Sequence, residues 1–150
     1  MSWRLLQFWL LQIGSSTSYI NYFAIPSQIF RDPAAWYHIV GVFDTTEGVA
    51  ANRFKLYING SQVTDWDTTE TPLYTAMAED YEGSINDSSV EHQIGNGGFG
   101  YLDGYLAEYH FIDGTALTPS SFGETGDYGE WKPKEVSGVT YGTNGFYLPF

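Results

Sequence analysis

Trp66 stands between Asp65 and Asp67, and Tyr74 and Tyr81 follow it in the same acidic stretch. Sugars present apolar C–H faces that stack on aromatic rings, and their hydroxyls bond to carboxylates, amides and backbone groups. An exposed ring among carboxylates therefore makes a saccharide platform, and exposed aromatics mark binding surfaces. Trp66, Tyr74 and Tyr81 do not follow the period of a strand face, which argues against core positions. The competing role for them is to cover a thin sandwich or a subunit contact.

A second chemistry lies just beyond. The run Glu79-Asp-Tyr-Glu-Gly-Ser-Ile-Asn-Asp87 offers four carboxylates and one amide, with Gly83 to bend it. Calcium takes about six to eight oxygens of these kinds, commonly from loops. Asp80, Glu82, Asn86 and Asp87 are the candidate ligands and calcium the candidate cofactor. The spacing is not that of an EF-hand, and a solvated acidic loop is the alternative.

Other chemistries lack their residues. The chain has no cysteine, which excludes a thiolate zinc site, a cysteine nucleophile and a disulfide scaffold. His38, His92 and His110 are far apart in sequence, and His38 sits among apolar neighbours like a hydrogen-bonded core histidine. No Gly-x-Ser-x-Gly elbow occurs. Gly95-Asn-Gly-Gly-Phe-Gly100 is glycine-rich but opens no helix, so it reads as a turn rather than a phosphate loop.

These groups sit on a chain of 150 residues, 43% apolar and 18% aromatic. That length suits one domain, and the aromatic content excludes disorder. The net charge is −12, with 14 acidic residues and no lysine or arginine between Lys55 and Lys132. Binding to a phosphate backbone or an anionic membrane needs the opposite sign. The N-terminal Met1–Ile13 has Arg4 ahead of an apolar run. Gln7 interrupts that run and no small-x-small site follows, so a buried strand is expected rather than a signal peptide. No stretch reaches the roughly 18 apolar residues of a membrane span.

The positioning elements read as short strands between turns. Trp36–Phe43 is rich in β-branched and aromatic residues. Arg53–Ile58 alternates, with Phe54, Leu56 and Ile58 on one face. Asn59-Gly60 follows, the strongest short hairpin signal, because both residues tolerate positive φ. Further strands are expected at Trp3–Ile13, Tyr19–Ile25, near Thr71–Met77, at Gln93–Gly95, over Gly104–Ile112 and at Gly145–Leu148. Tyr105, Ala107, Tyr109 and Phe111 form the expected core face of Gly104–Ile112. Thr118 and Pro119 have the cap and first-position signature of one helical turn, ended by Gly123. The chain between that turn and Gly145 reads as loop, and no long amphipathic helix occurs. The class is all-β.

Arg31-Asp-Pro-Ala-Ala-Trp-Tyr-His-Ile-Val40, Asp44-Thr-Thr, Asn52-Arg-Phe-Lys-Leu-Tyr-Ile-Asn-Gly60 and Ile94-Gly95 together resemble the laminin-G-like, concanavalin-A-like (pentraxin-type) jelly-roll superfamily. Asp103–Glu124, Trp131-Lys-Pro-Lys134 and Tyr141–Leu148 resemble the version carried by virion-surface and tail-fibre proteins of tailed phages. The resemblance covers roughly residues 28–150. It implies one domain over residues 1–150: a jelly-roll β-sandwich of two antiparallel sheets lacking the first strands, from a shortened version or a piece of a longer product. It also implies a non-enzymatic module at the virion surface, on a fibre or decoration protein, binding carbohydrate for adhesion. Its expected partners are a glycan or other virion subunits, as a homo-oligomer or mixed assembly, without nucleic acid or membrane. The alternative is a purely architectural capsid or tail protein.

The superfamily also includes glucanases, so a glycoside hydrolase is the third reading. Their carboxylates share one strand face, placing acid and nucleophile about 5.5 Å apart. The nearest pair here, Glu108 and Asp113, is five residues apart, which on a regular strand means opposite faces.

Overall fold

The computed structural model describes residues 26–32, 34–67, 77–83, 85–95 and 101–150. The strands expected within Trp3–Ile13, Tyr19–Ile25 and residues 71–76, the turn at Asn96–Gly98 and Tyr74 lie outside the described residues.

The described residues are all-β, and their strands pair antiparallel. Strand β1 (Ile39–Phe43) pairs with β2 (Phe54–Ile58), which pairs with the short β3 (Ser61–Gln62). Strand β4 (Tyr109–Phe111) pairs with β7 (Phe146–Leu148), and β5 (Gly123–Thr125) with β6 (Trp131–Pro133). Two 3-10 turns, Ala50–Asn52 and Pro119–Ser121, are the helical elements among the described residues, and no helix there is long and apolar enough to cross a membrane.

β2 organises the core. Its alternation buries Phe54, Leu56 and Ile58 on one face and leaves Lys55 and Tyr57 half-buried on the other. Phe30 and Met77 complete the buried cluster. Each such side chain contributes about 1.5–3 kcal/mol by leaving water. Phe43 lies opposite Phe54 in the ladder, with ring centroids 4.8 Å apart. The Asn59-Gly60 turn forms as the dipeptide requires, with φ of 48° and 78°. Asn59 then extends the ladder beyond its ends. Its N–H donates to His38 O at 2.8 Å, and its side-chain oxygen accepts from His38 N–H at 2.9 Å.

Trp131 of β6 ties this sheet to the C-terminal ribbons. Its indole N–H donates to His38 Nδ1 at 3.0 Å, and the two rings stack with centroids 5.7 Å apart. Its six-membered ring lies on Gly60, where an added Cβ would stand 2.8 Å from Cδ2. A Cβ on the buried Gly123 would stand 2.7 Å from Cε2 of the same indole. Two glycines thus make the slot the indole fills. Phe122 continues the contact from His38 to His110, whose ring stacks on Tyr147 at 4.6 Å and accepts from or donates to Tyr141 Oη at 2.7 Å.

The histidines give this junction a pH dependence. Burial lowers the His38 pKa, and nearby His110 lowers it further. Burial also lowers that of His110, partly offset by Glu108. His38 Nδ1 accepts a hydrogen bond, so protonation there expels the indole N–H. Both folded pKa values lie below the ordinary 6.5, so the unfolded chain binds more protons as pH falls through that value. The stabilisation is complete above pH 6.5 and is lost on acidification toward the folded-state values. The thermal midpoint is expected to fall as pH drops below about 6.5, and less steeply for His38→Gln. A midpoint flat across that window contradicts this origin.

Several expectations need correction. Gly104–Ile112 is not one strand, because Glu108 adopts φ 53°, which breaks extended pairing before Tyr109. Tyr105 (89% exposed) and Ala107 are therefore not core residues, while Tyr109 and Phe111 are half-buried. Trp36 lies outside β1 and is 67% exposed. Gln93–Gly95 is not a strand, so His92 is in irregular chain. Pro119 opens a turn as expected, but Thr118 bonds Ser120 Oγ rather than capping a backbone N–H, and Gly123 starts β5. The β5–β6 ribbon occupies a region expected to be loop.

Candidate functional site

A cleft of about 620 Å3 opens where the acidic segment 77–87 meets the end of β1. Phe43, Met77 and Ile85 form an apolar floor; Tyr81, Glu82, Asn86 and Asp87 supply the polar wall, with Thr45 and Gly83 between. This volume lies within the roughly 300–1,000 Å3 range of small-molecule sites. Three of the four expected calcium ligands and one expected sugar-stacking ring share this one feature.

The wall is held by Arg53, the buried charged residue of the described chain, 7% exposed. Its guanidinium donates to Met77 O at 2.8 Å, Glu47 O at 2.7 Å, Gly48 O at 3.3 Å and Glu79 Oε2 at 3.0 Å. Five N–H donors in a rigid fork make arginine suited to this carbonyl cage. Asp80 N–H donates to Thr45 O at 2.9 Å, joining the segment to the turn after β1. Asp80 and Asn86 take positive φ of 53° and 66°, which short polar side chains tolerate.

Each polar wall residue has a distinct state. Asn86 N–H donates to His92 Nε2 at 3.1 Å, and its side-chain amide donates to Asp113 Oδ1 at 3.1 Å. Asp87 Oδ1 accepts from the Ser89 N–H at 2.8 Å and hydroxyl at 2.7 Å, and these bonds lower its pKa. Glu82 is exposed and its carboxylate has neither hydrogen bond nor ion pair. Tyr81 packs its ring against the core cluster while lining the cleft.

The other expected site residues lie elsewhere. Asp80 does not line the cleft, and among the described residues no group of three or more His, Asp or Glu side chains converges as a metal cage. Trp66 is not an open platform. It forms a β-bridge with Pro26, Ser27 N–H donates to Asp65 O at 3.1 Å, and the indole turns onto Phe54 with centroids 6.0 Å apart. Asp65 and Asp67 flank that bridge, away from the cleft lining.

Glu108 and Asp113 are both committed to the fold. Tyr147 Oη donates to Glu108 Oε2 at 2.6 Å, a bond that raises the tyrosine's pKa. Asp113 accepts from Asn86 Nδ2 through one oxygen and from Asn144 N–H, at 3.1 Å, through the other. The residues that sequence reasoning missed are Arg53, read only as the start of a strand, and the apolar floor. A lone arginine before an alternating strand was the available signal, but its carbonyl partners at Met77 lie 24 positions away. Comparison with protein-family models, with curated proteins and with solved structures finds no match to this chain.

Proposed function

We propose that this chain is a non-enzymatic, laminin-G-like β-sandwich module of a tailed-phage virion surface that binds carbohydrate in the cleft beside β1. The observation that carries the reading is the meeting of Tyr81, the unpartnered Glu82 carboxylate and the Asn86 and Asp87 side chains over a floor of Phe43, Met77 and Ile85. An aromatic edge and apolar floor suit a sugar's C–H face, and the carboxylates and amide suit its hydroxyls. The resemblance in Arg31–Val40, Asn52–Gly60 and Asp103–Glu124 supports the sandwich and the virion setting.

A glycan array probed with the intact chain tests this, once with calcium and once with a chelator. Selective binding is expected, and Glu82→Gln should weaken it about tenfold while the chain stays folded. Loss of signal on chelation makes binding dependent on a divalent cation, for which Glu82, Asn86 and Asp87 are the proposed ligands. A blank array in both conditions, or Glu82→Gln binding like the parent, overturns the cleft as the site.

One observation favours the architectural alternative. Every residue from Tyr101 to Glu108 is exposed, including Tyr101 at 86% and Tyr105 at 89%. Such a run fits a contact with another virion subunit or a second copy. Sedimentation distinguishes them: a symmetric assembly dissociated by Tyr101→Ser with Tyr105→Ser supports architecture, and a monomer supports the binding module.

A further inference from the structure

We propose that a second cavity, between the Pro119–Ser121 turn and residues 137–140, binds a carboxylate-bearing saccharide of the uronic acid kind. It encloses about 430 Å3 and is separate in lining from the cleft beside β1.

Its chemistry differs from the rest of the chain. No carboxylate lines it, although the chain carries 18 Asp and Glu residues. Lys134 does. Among the described residues Arg53, Lys55 and Lys132 each sit against a glutamate, at 3.0, 3.8 and 3.3 Å, whereas Lys134, like Arg31, has no ion pair, and of these two only Lys134 lines one of the two cavities. Lys132 lies in β6 and Lys134 just beyond it, yet only the first is neutralised by a glutamate. The net charge of −12 opposes anions at long range, but screening over about 8 Å at physiological salt leaves the nearest ammonium dominant.

The remaining lining suits a polyol. Five hydroxyls border the cavity. Ser120 is engaged by Thr118, while among the described residues the hydroxyls of Thr115, Ser121, Ser137 and Thr140 make no hydrogen bond. A hydroxyl both donates and accepts, as sugar hydroxyls require. Leu117 and Val139 add a small apolar surface for a C–H face. Lys134 is the one charged residue of the lining, and its single positive charge balances one carboxylate but leaves a phosphate monoester, at about −2, uncompensated.

The test is a titration of isotope-labelled protein, followed by amide shifts, with trigalacturonate, the neutral galactose trisaccharide and inorganic sulfate. Trigalacturonate is expected to shift Ser121, Lys134, Gly138 and Thr140. Lys134→Met should weaken it about tenfold, to the level of the neutral trisaccharide, and Lys134→Arg should keep most of the affinity. Lys134 is exposed and unpaired, so thermal unfolding of Lys134→Met should match the parent. Absence of shifts, equal affinity in Lys134→Met, or sulfate binding as tightly as trigalacturonate overturns the proposal. Shifts confined to Tyr81–Asp87 assign the sugar to the cleft and overturn a second site.

Discussion

Trp131→Ala is expected to cost about 3 kcal/mol of stability, the lower end for truncating a large aromatic, because the indole is half-buried. In a domain of this size that lowers the thermal midpoint by roughly 6–12 °C. The loss has three parts: the slot between Gly60 and Gly123 empties, the stack on His38 disappears, and His38 Nδ1 loses its donor. Trp131→Phe separates them. It keeps most of the ring contact and removes the N–H, so it should cost about 1 kcal/mol. Gly60→Ala attacks the same slot from the other side, placing a Cβ against the indole at a φ of +78° that alanine resists. Urea unfolding followed by circular dichroism measures all three. The account requires Trp131→Ala and Gly60→Ala to be non-additive in the double variant, since both report on one contact. Independent, additive losses would mean the indole does not hold the hairpin turn.

Arg53→Met is the second large loss, also about 3 kcal/mol. The methionine fills the volume but leaves Met77 O, Glu47 O and Gly48 O without their donors. The ion pair is the smaller share, because the Glu79 side chain is 56% exposed and water screens it. Glu79→Gln should therefore cost under about 1 kcal/mol while Arg53→Met stays severe. Arg53→Lys should fall near the methionine variant, since one ammonium cannot span carbonyls on two segments. Met77 both accepts from Arg53 and lines the cleft, so saccharide binding should weaken with the arginine variants and survive Glu79→Gln. Equal losses for Arg53→Met and Glu79→Gln would assign the stabilisation to charge pairing instead.

What the sequence made legible was local. The Phe54, Leu56, Ile58 face and the Asn59-Gly60 turn depend on residues within seven positions, and both form as expected. So does the Pro119 turn. The misreadings share a different cause. Trp66 turns inward through a bridge to Pro26, 40 positions earlier, and Trp131 finds its acceptor 93 positions away at His38. Neither pairing leaves a mark in short-range periodicity. The β5–β6 ribbon was hidden by Gly123 and Pro133, residues that weaken a strand reading, although here the glycine makes room for the indole and the proline stands at a ribbon edge. Gly104–Ile112 alternates well as a pattern, but Glu108 leaves the extended region. At the candidate site the acidic run was visible and its division of labour was not: Glu79 serves Arg53, Asp87 serves Ser89, Asn86 serves Asp113, and of the carboxylates lining the cleft Glu82 is the unpartnered one.

The cleft reading is tested most directly by mapping the best array saccharide onto labelled protein, residue by residue, in parent and Glu82→Gln chains. The account predicts saturable amide shifts at Thr45 and across Tyr81–Asp87, with a tenfold weaker midpoint, on the order set by one lost charged bond, in the variant. Saturable shifts centred on Tyr101–Glu108, or an unchanged midpoint in Glu82→Gln, would contradict it.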